Sequence, residues 1–477
     1  MLQLRAAEAG VIAALAIGIV VVLIKVYLDP LKHIPGPTIA RFTPVWLWYI
    51  SWRGVECTVL GDMHKKYGPV IRVAPNEVDI SDGRAGLKIY VKNGGYLKNP
   101  VYRNIDVNGF ITIFSAVDPA HRAPRAKAVV PLFAQQHIIQ NRAQAQHIVT
   151  QMLAELKRRK VESAGRPVDV LNLFRATFID AVSLCLLGES LKSIGKSRCA
   201  ATGFVDRFAS LGRFFILPGW LFHKVESWAH IVHKDRHAID ASTQHVQDFA
   251  ARVVDRSILE EKLVARTYQG RLLSAGISRE ETIAQVIDIL FAGTDGGGTS
   301  LSRLAQALAD HPQIYERVRE EVINNYDLDA QTLPYLTSVV KESLRLAMVN
   351  PTRLPRIVPP GGMHVDGLPF IPTGTSVGLS AYNLHFNSEV FPEPHTFLPE
   401  RWLKPSAEML RDSFYFGQGP RQCIGRNFAW AALCWAAEGL VRSDVLRGAR
   451  SVKKDVEIYQ WFNSVSQDGK HELVWKE

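Results

Sequence analysis

The chain has little cysteine: five residues among 477, namely Cys57, Cys185, Cys199, Cys423 and Cys434. An odd count with no CxxC spacing excludes both a disulfide framework and a cysteine zinc site, and it points to a reducing compartment where one cysteine can act as a single thiolate. Internal repeats, low-complexity stretches and long polar linkers are also absent, which excludes a solenoid and a string of tethered domains. Basic residues outnumber acidic ones, 56 to 46, for a formal charge of +10. They do not gather into a block interleaved with aromatics, so no nucleic-acid footprint is expected. Lys157, Arg158, Arg159 and Lys160 read as a solvated helix face, and the overall balance suits an anionic membrane surface or an acidic protein partner. With 47% hydrophobic and 21% charged residues, the composition is too apolar for disorder and supplies a sizeable core.

One long hydrophobic run is present. From Ala9 to Ile24 every residue is apolar or glycine, and Val26, Tyr27 and Leu28 extend the run past Lys25, which can snorkel. Since about 20 residues cross a bilayer, residues 1–30 are expected to be a membrane anchor helix. A cleavable signal would have a shorter core and a small-residue cleavage site, which Tyr27-Leu28-Asp29-Pro30 does not offer. Lys25, Lys32, His33 and Arg41 on the far side favour a cytoplasmic body, expected as one domain over residues 31–477. Between the two, Ile34-Pro35-Gly36-Pro37 reads as a stiff joint.

Helical patterns dominate the remainder. Val70–Ile80 and Met363–Leu379 carry strand signals that suggest a minor sheet built from distant segments, so the fold class is mainly α with a minor β region. The longest helix begins after Ser278, where Ser278 and Glu281 have the spacing of a capping box, and runs to about Ala309. It carries four glycines within six positions, Gly293, Gly296, Gly297 and Gly298. Each costs about 1 kcal/mol relative to alanine, so the close approach of something large and flat is expected there. A second helix from Pro334 to Met348 places Glu342 and Arg345 on one face. The apolar stretch Phe214–Phe222 is either a segment dipping into a bilayer near an entrance or a buried helix connection.

The string Phe416-Gly417-Gln418-Gly419-Pro420-Arg421-Gln422-Cys423-Ile424-Gly425 precedes a helical run from Arg426 to Val441. Its glycines and proline suggest an irregular loop with amides aimed at the sulfur, and the following helix adds its positive end; both favour a thiolate. The string resembles the haem-binding signature F-x-x-G-x-R-x-C-x-G of the cytochrome P-450 family, five specified positions that would coincide by chance in about one chain in ten thousand of this length.

That resemblance implies the mostly helical P-450 architecture, with Cys423 as the axial ligand of the iron of haem b and with Phe416, Gly417, Arg421 and Gly425 beside it. His121 and Arg125 match the family's W/H-x-x-x-R pair at the haem propionates, and Arg356 and Arg421 match its other propionate arginines; Pro124 makes an unusual helix between the first two. Glu342 and Arg345 match the E-x-x-R pair and Arg401 the arginine that joins them in a buried structural network. Ala292 and Gly293 open the family's oxygen-binding segment over the haem. The threonine usual in that segment is Gly296 here, and the next residue is Gly297. Asp295 is retained, so Asp295 and Thr299, one turn on, are the candidate catalytic pair for proton delivery. Consecutive glycines imply room for a bulky polycyclic substrate, with Val107–Phe114, Val349–Leu354 and Phe462–Val465 also lining the pocket.

The implied reaction inserts one oxygen atom of dioxygen into a lipophilic molecule. Electrons come from NADPH through a flavoprotein cytochrome reductase, with cytochrome b5 a further partner, at the endoplasmic reticulum membrane and in the style of fungal secondary metabolism. Two alternatives stand beside it: a reductase-independent haem-thiolate isomerase or dehydratase, and a membrane-anchored binding protein without catalysis.

Overall fold

The computed structural model describes residues 27–196, 202–454 and 456–475. The expected anchor run from Ala9 to Leu28 lies outside these apart from Tyr27 and Leu28, and among the described residues no helix is long and apolar enough to cross a membrane.

The proline joint is strapped to the body. Leu31 and Ile34 are buried, and the Pro35 carbonyl accepts the Arg72 amide at 2.7 Å. A Cβ on Gly36 would stand 2.3 Å from the Arg72 carbonyl oxygen, so only glycine passes. Asp29 forms a buried ion pair with the Arg72 guanidinium. Arg72 belongs to β1 (Val70–Ala74), which turns into β2 (Glu77–Ile80), as the β-branched alternation there predicts. Further strands are β3 (Leu97–Lys98), β4 (Val168–Asp169), β5 (Arg356–Ile357), β6 (Ser376–Leu379), β7 (Ala449–Ser451), β8 (Ile458–Tyr459), β9 (Val465–Ser466) and β10 (Glu472–Trp475). They form a five-stranded sheet in the order β1-β2-β6-β5-β3, a three-stranded sheet β4-β10-β7, and the hairpin of β8 with β9. In the larger sheet only β2 and β6 run parallel.

Helices make up most of the rest. Those that matter below are α1 (Val45–Trp52), α2 (Glu56–Tyr67), α3 (Pro119–Val129), α4 (Arg142–Ser163), α5 (Leu171–Val182), α6 (Gly219–Ile231), α7 (Arg279–Asp310), α8 (Pro334–Ala347) and α9 (Arg426–Arg442). The mainly helical class with a minor β region is therefore as expected. The largest core joins α4, α5, α7, α8 and α9 through residues such as Leu156, Phe174, Leu301, Leu336 and Leu440.

At 32 residues α7 is about 48 Å long and crosses the molecule. Ser278 caps it by accepting the Glu281 amide at 3.2 Å. The other half of the expected capping box does not form, because the Glu281 carboxylate is taken by Arg125 of α3. The stretch Phe214–Phe222 is a buried connection for most of its length: Phe214, Phe215, Leu217 and Phe222 are inside, and Trp220 is exposed.

Candidate active site

The cysteine loop is built by its own backbone. The Cys423 amide donates to the Phe416 carbonyl at 2.8 Å and the Gln422 amide to the Gly419 carbonyl at 3.0 Å, which closes residues 416–423 into a compact turn. Gly419 has φ +71°, and a Cβ there would lie 1.8 Å from the Tyr90 carbonyl, so glycine is required on both counts. Gly425 is the N-cap of α9, and its amide reaches back to the Cys423 sulfur. Cys423 is surrounded by protein, yet its side chain is accessible. Burial pushes its thiol up, while the Gly425 amide and Arg426 pull it down. The net direction is opposite to that expected from loop and helix alone, because desolvation of a thiolate outweighs one amide and one solvated arginine.

The central glycines divide between two sides of α7. A Cβ on Gly293 would come within 2.6 Å of Val182, one on Gly297 within 2.1 Å of Phe178, and one on Gly298 within 2.6 Å of Arg175. All three therefore admit α5, not a flat ligand, which corrects the expectation for Gly293 and for most of the room assigned to the glycine run. Gly296 points elsewhere: its nearest neighbour would be Val349, at 3.7 Å. Ala292, one turn before Gly296, is exposed in the middle of a buried helix. The segment Val349–Leu354 joins this side of α7 to the cysteine loop, since Leu354 lies 3.6 Å from the Cβ position of Gly417.

Asp295 lies on the α5 side. Its Oδ1 accepts from Arg175 at 2.7 Å, Arg175 also reaches Asp206 at 3.0 Å, and Asp295 Oδ2 has no hydrogen-bond partner. Burial raises the Asp295 carboxyl, with Arg175 pulling the other way. Thr299 lines a cavity of about 190 Å³ together with Arg175, Met348, Ser464 and His471. The neighbouring hydroxyls of Thr294 and Ser300 are spent on helix carbonyls one turn back, at 2.6 and 2.7 Å.

Four basic side chains converge between the cysteine loop and the residues before α3. Arg421 donates to the carbonyls of Ala116 at 2.9 Å and Val117 at 3.4 Å, and Arg356 donates to the Tyr102 hydroxyl at 3.1 Å. Lys98 is buried nearby and Arg122 half-buried. Burial and the charges of Arg122 and Arg356 lower Arg421 to about 10; the Lys98 ammonium is lowered well below its usual range by burial and by all three arginines. Sequence reasoning missed Lys98 and Arg122. His121 and Arg125 stand together at the start of α3. Arg125 makes a bidentate pair with Glu281 and donates its remaining Nη1 to the His121 carbonyl at 2.7 Å, and the His121 imidazole lies 3.3 Å from the Ile111 carbonyl.

The structure brings Glu342, Arg345 and Arg401 together. Glu342 accepts from Arg345 at 2.8 and 2.9 Å, from Arg401 at 3.1 Å and from the Trp402 indole at 2.8 Å. His385, also missed, ties this knot to the cysteine loop: one ring nitrogen lies 3.0 Å from the Arg345 carbonyl and the other accepts the Phe414 amide at 2.9 Å. Burial and the adjacent Arg345 hold His385 near 3, hence neutral.

The stretches expected to line a pocket do meet. Phe114, Phe215 and Phe462 surround Tyr102 with ring centroids 5.9, 5.1 and 6.0 Å away. Asp288 enters from α7, one turn before Ala292, and is held by Thr112 and the Phe114 amide. Its position on the Ala292–Gly296 face was legible from the four-residue spacing.

Comparison with known proteins agrees with this arrangement. The cytochrome P-450 family model matches residues 35–436. The cytochrome P-450 monooxygenase mfmF of Annulohypoxylon moriforme is 34% identical, with 97% of this chain and 99% of the relative covered. Monooxygenases aneF of Aspergillus aculeatus and BOT1 of Botryotinia fuckeliana are 27% and 28% identical, each over 85% of this chain and over 86% and 83% of their own lengths. Similarity of this extent, running through the cysteine loop and the long helix alike, makes the chain a member of the cytochrome P-450 family and a haem-thiolate monooxygenase.

Proposed function

We propose that this enzyme inserts one oxygen atom into a lipophilic, polycyclic molecule, with Cys423 as the thiolate ligand of the haem iron. The observation that carries the assignment is the pairing of an accessible cysteine, inside a loop closed by its own amides, with a nearby set of four cations that repel one another. A group with a metal that takes a thiolate ligand and two carboxylates at its edge satisfies both, so these residues fit haem. Arg356 and Arg421 would hold the carboxylates, and Ala292 and Gly296 would leave the opposite face clear. Haem held by the Cys423 thiolate would supply the dioxygen chemistry, the sulfur lending it electron density.

The protein's own part is positioning and proton supply. Tyr102, Phe114, Phe215 and Phe462 form an apolar aromatic wall suited to a lipophilic substrate. We assign proton delivery to Asp295 and Thr299. Oδ2 of Asp295 is free to carry a proton, and the cavity lined by Thr299, Arg175 and His471 admits the water that replenishes it. Gly296→Thr and Thr299→Ala should each change the ratio of peroxide released to product formed; unchanged coupling in both would remove the relay.

The electron donor in this reading is NADPH through a flavoprotein reductase, with cytochrome b5 as a second donor, at the endoplasmic reticulum membrane. Residues 1–30 would be the anchor and residues 31–477 the catalytic domain. Exposed Val45, Tyr49 and Trp52 on α1 and Trp220, Trp228 and Ile231 on α6 support contact with a bilayer. A reductase-independent isomerase remains the second reading, favoured by the missing hydroxyl at Gly296. The deciding experiment is the reduced, carbon-monoxide-treated spectrum of the wild type and of Cys423→Ala, followed by turnover with and without NADPH and reductase. A thiolate signature lost in Cys423→Ala and turnover that requires NADPH are expected; turnover without NADPH would select the isomerase, and a wild type without the signature would end both readings.

A further inference from the structure

Glu281, Asp288 and Asp295 recur along α7 at every second turn. The first and last each have an arginine, Arg125 for Glu281 and Arg175 for Asp295. Asp288 differs. Among the described residues no cation lies at ion-pair distance from it, and Lys98, whose ammonium donates to the Phe114 carbonyl, acts on it only from farther away. Its carboxylate receives Thr112 and the Phe114 amide, two donors for a group with about four acceptor sites. Those contacts are not what docks segment 111–114 on α7, because Gln285 already does so: its Oε1 accepts the Ile113 amide at 2.9 Å and its Nε2 donates to the Ile111 carbonyl at 3.2 Å.

Asp288 is surrounded by protein without being sealed in it, and it stands one turn before Ala292 and two before Gly296, on the face of α7 that α5 does not cover. Phe114, which offers it an amide, belongs to the aromatic wall with Tyr102 and Phe462. A carboxylate without a paired cation thus borders an aromatic surface. Burial lifts its carboxyl to about 6, as befits an acid short of a counter-ion.

We propose that Asp288 is a specificity-determining residue, which takes the protonated amine of a polycyclic substrate in a charge-assisted hydrogen bond and so sets which carbon is presented to the iron. The proposal rests on the haem-thiolate reading above and names a substrate class for it: a lipophilic ring system with a basic nitrogen at one end. A cation is the partner from which an interior carboxylate without a counter-ion gains most. The aromatic wall takes the rings, and its ring faces favour the positive end as well.

The test uses the haem-loaded enzyme and matched fluorescent probes, dimethylaminomethyl-pyrene and dimethylaminomethyl-anthracene against the isosteric hydrocarbons isobutyl-pyrene and isobutyl-anthracene. Binding is read from quenching of the probe by the haem. In Asp288→Asn the Kd of the amines is expected to rise about ten- to hundredfold, the equivalent of one charge-assisted hydrogen bond, while that of the hydrocarbons stays within about twofold. Asp288→Ser repeats the comparison if Asp288→Asn does not load haem. An acid that only supports the fold weakens both members of a pair alike, so an unchanged ratio of amine to hydrocarbon affinity overturns the proposal, as does failure of both amines to bind the wild type. If neither variant loads haem, the wild type decides: amines bound at least as tightly as their isosteres support the anchor, and amines bound more weakly overturn it. A wild-type protein that carries no haem would instead defeat the reading of the site on which the proposal stands.

Discussion

Arg175 of α5 and Asp295 of α7, 120 positions apart in the chain, meet at 2.7 Å with both side chains buried. The two differ in what else holds them. Arg175 keeps Asp206 as a second, more exposed partner, whereas Asp295 has only Arg175 as an ion-pair partner among the described residues. Arg175→Leu is therefore expected to lower stability by about 3–5 kcal/mol, the cost of stranding a buried charge. Asp295→Asn should be milder, since Arg175 retains Asp206. Chemical denaturation of the two variants checks the order; a larger loss in Asp295→Asn would contradict it.

The glycines of α7 make a contrasting pair. Gly297→Ala drives a methyl group to 2.1 Å from Phe178, so α5 must shift, at about 1–3 kcal/mol for overpacking. Gly296→Ala meets only Val349 at 3.7 Å and should gain up to about 1 kcal/mol from helix propensity. Thermal unfolding should therefore move in opposite directions for adjacent substitutions.

Glu342 is the sole carboxylate seen binding both Arg345 and Arg401 among the described residues. Glu342→Gln leaves two buried guanidiniums without an anion, and a loss of about 3–5 kcal/mol is expected. Arg345→Lys should also be damaging, because lysine cannot reproduce the two-point contact with Glu342 while also serving the His385 and Pro394 carbonyls. The yield of protein with a thiolate spectrum measures both.

Asp288 gives the pH prediction. Burial first, then Asp106, lift its carboxyl to about 6, against the lowering effects of Thr112, Lys98 and the Phe114 amide. A folded-state value above the unfolded one of 3.8 means that the native state holds the extra proton. The contribution of Asp288 to stability is thus fully present below pH 3.8 and is lost as pH rises to about 6, after which it is level. Asp288→Asn should remove that decline, seen as a smaller fall in unfolding free energy between pH 4.5 and 6.5 than in the wild type.

Local chemistry made much of this readable in the chain itself. Ser278 announces the start of α7 because a cap depends on residues three apart, and the i, i+3 spacing of Glu342 and Arg345 places them together for the same reason. The cysteine loop was equally legible, being one contiguous string. What escaped was decided by distant contacts. Nothing near Arg175 foretells Asp295, nothing near Lys98 foretells three arginines, and His385 becomes a link only when Arg345 and Phe414 flank it. Gly297 and Gly298 signal only that something comes close, and the packing of Phe178 and Arg175 shows that the guest is another helix.

The stretch from Val349 to Leu354 reaches both Gly296 and Gly417 within a few residues. A mutation that reshapes the chamber at its upper end is thereby transmitted to the rim of the cysteine turn at its lower end. Diversification of what this enzyme accepts is consequently coupled to how firmly it grips its metal, and variants selected for new substrates through this stretch should drift in cofactor occupancy as well.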